Sequence, residues 1–264
     1  MIIEKRVSSI NELMHELNVL PNHFVFRGQA DASWGIQSSL ERMLGSNWSA
    51  EKARTFEEYS LNSFRSKYHI YCGSEHTPAS KFSWLSVMQH YGAPTRLIDF
   101  TTSPYVALYF ALESYNPLEK KDFAIYAVDY TSLMDASISF IKDNDNEFRE
   151  TRQTINQKQD ELFANILDRY NYSIAWVSEP VESNARIDRQ SGTFLISGSL
   201  KKTIGEILNL PLYDKTTMSK IVIPSSLYES CYVALRKMSI NSKSIYGDLS
   251  GLARSIRMEL NGYV

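Results

Sequence analysis

Two hydrophobic periods alternate along this chain, one of about 3.6 residues and one of two. Ile10, Leu13, Met14 and Leu17 recur at the longer spacing and predict a helix that buries one face. Ser9 and Glu12 stand at its start in capping-box spacing, and Pro21 ends it. Phe24, Val25 and Phe26 follow as a short buried strand. The stretch DASWGIQSSLER (31–42) reads as a loop that returns to the protein through Trp34, Ile36 and Leu40. Residues 49–71 predict a long helix capped by Ser49, with Phe56, Phe64, Tyr68 and Tyr71 on one side. SWLSVMQHYG (83–92) predicts another helix, closed by Gly92.

Thr95 to Phe100 predicts a brief strand. Ser103 and Pro104 then supply a cap and a first-turn proline for a helix through YVALYFALESY. Ala107, Phe110, Ala111 and Ser114 give that helix a close-packing face. DFAIYAVD (122–129) is the clearest buried strand. Residues 139–170 change character: charges are many, aromatics few, and Phe148, Ile155 and Leu162 stand seven apart. This pattern predicts an amphipathic helical excursion that either packs on its own domain or serves as a partner-binding arm. Further strands are expected near 174–177, 192–197 and 220–224. Ser226 and Glu229 suggest a capping box before LYESCYVALRKM, and a last helix begins near Asp248 or Ser250. Strands and helices do not alternate strictly. The expectation is one mixed α+β domain over residues 1–264, without internal repeats, built on a central, mostly antiparallel sheet wrapped by helices.

Composition narrows the function classes. Of 264 residues 43% are hydrophobic and 22% charged, enough apolar material for a substantial core. Lys and Arg number 28 against 30 Asp and Glu, so the total charge advertises neither a nucleic-acid nor a membrane partner. Residues 201–264 carry nine Lys/Arg against five Asp/Glu, which permits a local nucleic-acid-facing surface. The two cysteines, Cys72 and Cys231, and five histidines fall in no zinc-ligand spacing, so no metal is expected. A Cys72–His76 catalytic pair has nothing nearby to orient it. No signal-peptide stretch and no run of about 18 apolar residues occurs, and a cytoplasmic location is expected.

Three polar stretches carry candidate chemistry. Arg27 and Gly28 end the strand FVFRGQ (24–29). A guanidinium fixed there suits a phosphate or carboxylate, and glycine allows a turn or close ligand approach. A salt bridge from Arg27 to Asp31 or Asp99 is the plain alternative. The second stretch runs from Gln89 to Pro104 and includes His90, Tyr91, Arg96, Asp99, Thr101, Thr102 and Ser103. Hydroxyls gathered at a helix N-terminus can hold an oxyanion or ribose phosphate, although Ser103 alone serves as a cap. Arg96 and Asp99 form a possible pair. The third stretch, 184–194, brings Arg186, Arg189 and Gln190 to a sheet edge, where a solvated turn is the alternative. No GxSxG elbow, P-loop or GxGxxG is present.

Together, FVFRGQ, QHYGAPTRLIDFTTSPYVALYFA and NARIDRQSGTF resemble the FRG domain, a family named for its Phe-Arg-Gly motif. The ending Tyr246-Gly247-Asp248-Leu249-Ser250-Gly251-Leu252 is similar to that family's aromatic–Pro–Asp–Leu–(Asp/Glu)–Gly–Leu pattern, and the resemblance spans about residues 10–258. The layout also resembles the ADP-ribosyltransferase superfamily. That likeness implies an ADP-ribosyltransferase-like sheet with NAD as substrate. Arg27 and Gly28 would be at the dinucleotide phosphates, Thr101, Thr102 and Ser103 at the nicotinamide ribose, and His90 and Tyr91 beside the nicotinamide. Gln190 stands where an acid is usual, and Asp99 is the candidate substitute, so Arg27, Asp99 and Gln190 form the expected catalytic set.

The resemblance implies an enzyme that modifies a macromolecule, nucleic acid (RNA included) or protein, or an NAD glycohydrolase. It further implies a toxin effector of bacterial anti-phage defence, with a neutralising antitoxin or regulatory partner docking on 139–170. The alternative is a non-catalytic nucleotide- or phosphate-binding signalling module, which Arg27, Ser103 and Arg186 would serve equally well. The two diverge on one observation: whether Arg27 and Gln190 or Asp99 meet around a single cleft.

Overall fold

Phe24 and Phe26 lie in one hydrophobic core and Val25 in another, because successive side chains of a strand point to opposite faces. The computed structural model describes residues 2–73, 77–179 and 185–261. Its centre is a sheet of seven strands: β1 (Ile3–Arg6), β2 (Phe24–Gln29), β3 (Leu97–Thr101), β4 (Phe123–Asp129), β5 (Ala175–Ser178), β6 (Gly192–Ser197) and β7 (Met218–Ile223). They lie in the order β1-β7-β4-β2-β3-β6-β5. β1 is parallel to β7 and the other pairs are antiparallel. The chain is therefore mixed α+β with a mostly antiparallel sheet, as its irregular succession of elements predicts.

Helices cover both faces. The first six are α1 (Ile10–Val19), α2 (Ser39–Leu44), α3 (Ala50–Tyr71), α4 (Lys81–His90), α5 (Pro104–Glu113) and α6 (Tyr130–Asn144). Short helices α7 (Arg152–Ile155), α8 (Gln159–Leu162), α9 (Ala185–Arg189) and α10 (Ile204–Leu208) precede α11 (Tyr228–Lys237), α12 (Ser242–Tyr246) and α13 (Leu249–Asn261). On one face, α3, α4 and α6 bury Leu61, Phe82, Met88 and Leu133 with Val25 and Val128. On the other, α1, α5 and α11 bury Leu13, Ala107, Ala111 and Leu235 with Phe24, Phe26 and Ile125.

The contact between α5 and β2 is the tightest of these. A Cβ added at Gly28 would come within 2.7 Å of the Ala111 amide nitrogen and closer still to the Ala107 carbonyl oxygen. Residue 28 is thus small because helix backbone fills the space above it. Small Ala107 and Ala111 let the helix come down that far.

Several local expectations need correction. Ser9 caps α1 through the Glu12 amide, but the Glu12 carboxylate bonds to Ser8 instead of closing the box. α11 has no side-chain cap, because a 3-10 turn over Ser225–Leu227 leads into it. Trp34 is exposed, while Ile36 and Leu40 do return to the core. β1 was not expected: all four residues are exposed, so it shows no alternation, and its pairing with β7 adds it at an edge. The segment 139–170 is the end of α6 followed by short helical turns, not one excursion. Phe148, Ile155 and Leu162 are buried in the chain's own core, where each contributes about 1.5–3 kcal/mol. That apolar stripe is not an arm for a partner.

Arg96 does not pair with Asp99. Its guanidinium grips Glu57 of α3 with two hydrogen bonds, one of them Nε to Oε2 at 2.6 Å, and reaches Asp168 at 3.0 Å. Lys81 closes the cluster on Asp168 at 2.8 Å. Both Arg96 and Glu57 are buried, so each is the other's nearest counterweight, with Asp168 and Lys81 as the next charges in the cluster. Burial alone would raise the Asp168 carboxyl, but the Arg96 charge and the Lys81 bond and charge overcome it and hold it below the ordinary value.

Gly28→Ala is expected to lower stability by at least about 1–3 kcal/mol, the usual cost of overpacking, measured as a shift of the urea midpoint. An unchanged midpoint would show that α5 can retreat. Glu57→Gln removes the buried carboxylate from the Arg96 guanidinium and leaves it only the half-buried Asp168, and it is expected to cost about 3–5 kcal/mol in the same measurement. The depressed Asp168 carboxyl contributes stability above its unfolded value of about 4. That contribution is lost as the pH falls through the lower folded value. Acid titration of the urea midpoint should therefore be shallower in Asp168→Asn than in the wild type.

Candidate functional site

The sheet is open in its middle. β2 pairs with β4 over six residues and β3 with β6 over five, yet β2 and β3 share the single pair Phe26–Thr101. Beyond that pair the ladder between the two strands stops. Arg27 reaches across instead: its Nη1 donates to the Asp99 carbonyl oxygen at 2.7 Å. The arginine at the end of FVFRGQ therefore bridges the gap in the sheet, as a hydrogen-bond donor to backbone, with no ion pair to Asp31 or Asp99 among the described residues. Asp31 pairs with Lys121 instead.

A cavity of about 310 Å³ occupies this opening. The volume lies at the lower end for small-molecule sites. Arg27, Gly28, Asp99, Thr101 and Gln190 line it, with Gln89 and His90 from α4 on one side and Phe110 and Glu113 from α5 on the other. The two helical layers thus each supply a wall. Tyr246 of α12 and Arg254 of α13 complete it.

Two of its donors are left over. Arg27 Nε and Gln190 Nε2 are buried and have no hydrogen-bond partner among the described residues. Burial pulls the Arg27 guanidinium below its ordinary value, and the Asp99 charge works against that pull. An unpaired buried donor costs about 1–3 kcal/mol, a cost that a ligand's acceptor oxygens would relieve. Asp99 itself is exposed, and its Oδ2 accepts from Gln89 Nε2 at 2.7 Å. Gln89 is fixed in turn by Thr95 Oγ1, which donates to its Oε1 at 2.7 Å.

The hydroxyl run is used internally. Thr101 Oγ1 donates to the Gln190 carbonyl at 2.7 Å and accepts from the Ser103 amide at 3.1 Å. Ser103 Oγ caps α5 through the Val106 amide. The Thr102 amide bonds to the Ser191 carbonyl at 2.9 Å. These bonds fasten the β3–α5 turn to the loop before β6 and so hold Gln190 in the wall. Thr101 lines the cavity; Thr102 and Ser103 do not. Tyr91, more than half exposed, lies apart in an apolar groove beside α3 with Tyr59 and Tyr71. Arg189 donates to the Tyr246 carbonyl at 2.9 Å and packs on Gly247. Glu182, Asn184 and His76 lie outside the described residues, as does the side chain of Arg186.

Sequence reasoning missed Gln89, Glu113, Tyr246 and Arg254 as wall residues. Glu113 had a signal: it is the one charge in the helix PYVALYFALE. Its Oε2 accepts from Tyr246 OH at 2.7 Å, and its Oε1 from Tyr109 OH at 2.9 Å and Arg254 Nη1 at 3.1 Å. Arg254 also stacks 4.6 Å above the Tyr246 ring. The described residues contain no cluster of His, Cys, Asp and Glu suited to a metal ion, and no helix long and apolar enough to cross a membrane.

No curated protein and no solved structure matches the chain. The FRG domain family model matches residues 22–120. That range holds the split strands, α4 and α5, and so most of the cavity wall; Gln190, Tyr246 and Arg254 lie beyond it. Over residues 22–120, somewhat more than a third of its length, the chain is similar to the FRG domain family.

Proposed function

We propose that the cavity between β2 and β3 binds NAD as a substrate and that the chain is an ADP-ribosyltransferase-like enzyme acting on a macromolecule. The observation that carries this reading is the convergence of Arg27, Asp99 and Gln190 on one cavity, with Arg27 Nε and Gln190 Nε2 buried and unpartnered among the described residues. A guanidinium with spare donors suits the pyrophosphate oxygens. A side-chain amide donor suits a carboxamide or ribose oxygen.

The chemistry needs little more than charge placement. The bond between ribose C1′ and the nicotinamide nitrogen breaks, its electron pair leaves with nicotinamide, and nicotinamide departs neutral. Positive charge then develops on the ribose, where a nearby carboxylate stabilises it. An oxygen or nitrogen of the acceptor forms the new bond to C1′ and gives up its proton to a carboxylate. Water in place of the acceptor makes the same site a glycohydrolase.

The test is incubation with NAD labelled in its adenylate half, together with RNA, DNA or protein in separate reactions. Nicotinamide release and label on one acceptor are expected. Arg27→Ala should weaken NAD binding on the order of 10- to 100-fold, the worth of one or two charge-assisted hydrogen bonds. Arg27→Lys should fail to restore it, because an ammonium lacks the planar fork. Nicotinamide release without label would assign a glycohydrolase. NAD binding without release would assign the non-catalytic module, and absence of binding would overturn the NAD reading.

A further inference from the structure

Scission of a ribosyl bond leaves a cation-like sugar, so the first question is which anion faces it. Among the described residues the carboxylates on the cavity wall are Asp99 and Glu113. Asp99 is exposed, and water weakens its field. Glu113 is recessed, with its side chain 10% exposed.

Resting on the NAD reading above, we propose that Glu113 is the catalytic carboxylate, stabilising the developing ribose cation and accepting the acceptor's proton. A carboxylate offers about four acceptor positions, two on each oxygen. Tyr109 and Arg254 fill both on Oε1, whereas Tyr246 takes one on Oε2. Among the described residues no donor takes the fourth position, on Oε2, which a ligand can fill.

The carboxylate is also held rigidly. Tyr109 is itself anchored by Ser242 Oγ at 2.8 Å, and Arg254 is stacked on Tyr246. A fixed anion needs no reorganisation when charge develops, which is the condition for effective electrostatic catalysis. The assignment places the acid on α5 rather than at the start of β6, where Gln190 stands.

The competing role is a strap that joins α5 to α12 and α13. Kinetics separate the two. Nicotinamide release, NAD affinity by calorimetry and thermal melting are measured for the wild type, Glu113→Gln, Asp99→Asn and Tyr246→Phe. The proposal expects Glu113→Gln to lose about 10²–10³-fold in kcat, the usual size of one oriented electrostatic group. NAD affinity should stay close to that of the wild type and the melting transition should stay cooperative. Asp99→Asn should lose less, and Tyr246→Phe should lower kcat without changing NAD affinity. Should Glu113→Gln fail to fold, Tyr246→Phe decides: an unchanged kcat there sinks the assignment. Wild-type kcat in a folded Glu113→Gln with a lowered melting temperature means a strap, and only the assignment falls. A wild type that neither binds NAD nor releases nicotinamide removes the NAD reading, and the assignment with it.

Discussion

Everything in the candidate site depends on the parting of β2 from β3. The central strands stop pairing after Phe26 and Thr101. Arg27 crosses that gap to the Asp99 carbonyl, and its Nε has no partner among the described residues. One side chain thereby holds the opening at a fixed width and leaves a positive group facing into it. Structural strap and ligand donor are two uses of the same guanidinium, which is why the choice between salt bridge and anion site could not be made from FVFRGQ alone.

Two further constraints keep the opening in place. From one side α5 rests directly on Gly28, so its polar end, with Glu113, arrives beside the gap. On the other side Arg96 is locked to Glu57 and Asp168, and this fastens the start of β3 to α3. The hydroxyls after β3 then lash the turn to Gln190. Buried charge, backbone contact and turn hydrogen bonds are different interactions, but all three act on the two strands that bound the cavity.

Much of the fold was legible in the sequence, because burial imposes periodicity. α1, α3, α4, α5, β2, β4, β6 and β7 all follow from apolar spacing or from caps such as Ser49 and Ser103-Pro104. β1 escaped because an exposed edge strand has no buried face to pattern. The turns between Phe148 and Leu162 escaped because seven-residue spacing does not separate one helix from several short ones. The site was only partly readable. Arg27, Asp99, Thr101 and Gln190 stand in marked polar stretches, but which hydroxyls are consumed by backbone depends on contacts between residues about 90 apart. The partner of Arg96 lies 39 residues away on α3. Arg254 carries no local signal at all, since it reaches the wall through the stacking of α13 on Tyr246.

The central claim is that Arg27 Nε is an unused donor waiting for a ligand oxygen, and its own resonance reports on that directly. In a ¹⁵N-arginine-labelled protein, the Nε–Hε signal of Arg27, assigned by its loss in Arg27→Lys, is followed as NAD is added. The account predicts a saturable shift of that signal, while Arg96, already held by Glu57, stays where it is. An Arg27 signal unmoved at saturating NAD, or one that moves no more than that of Arg96, would contradict it.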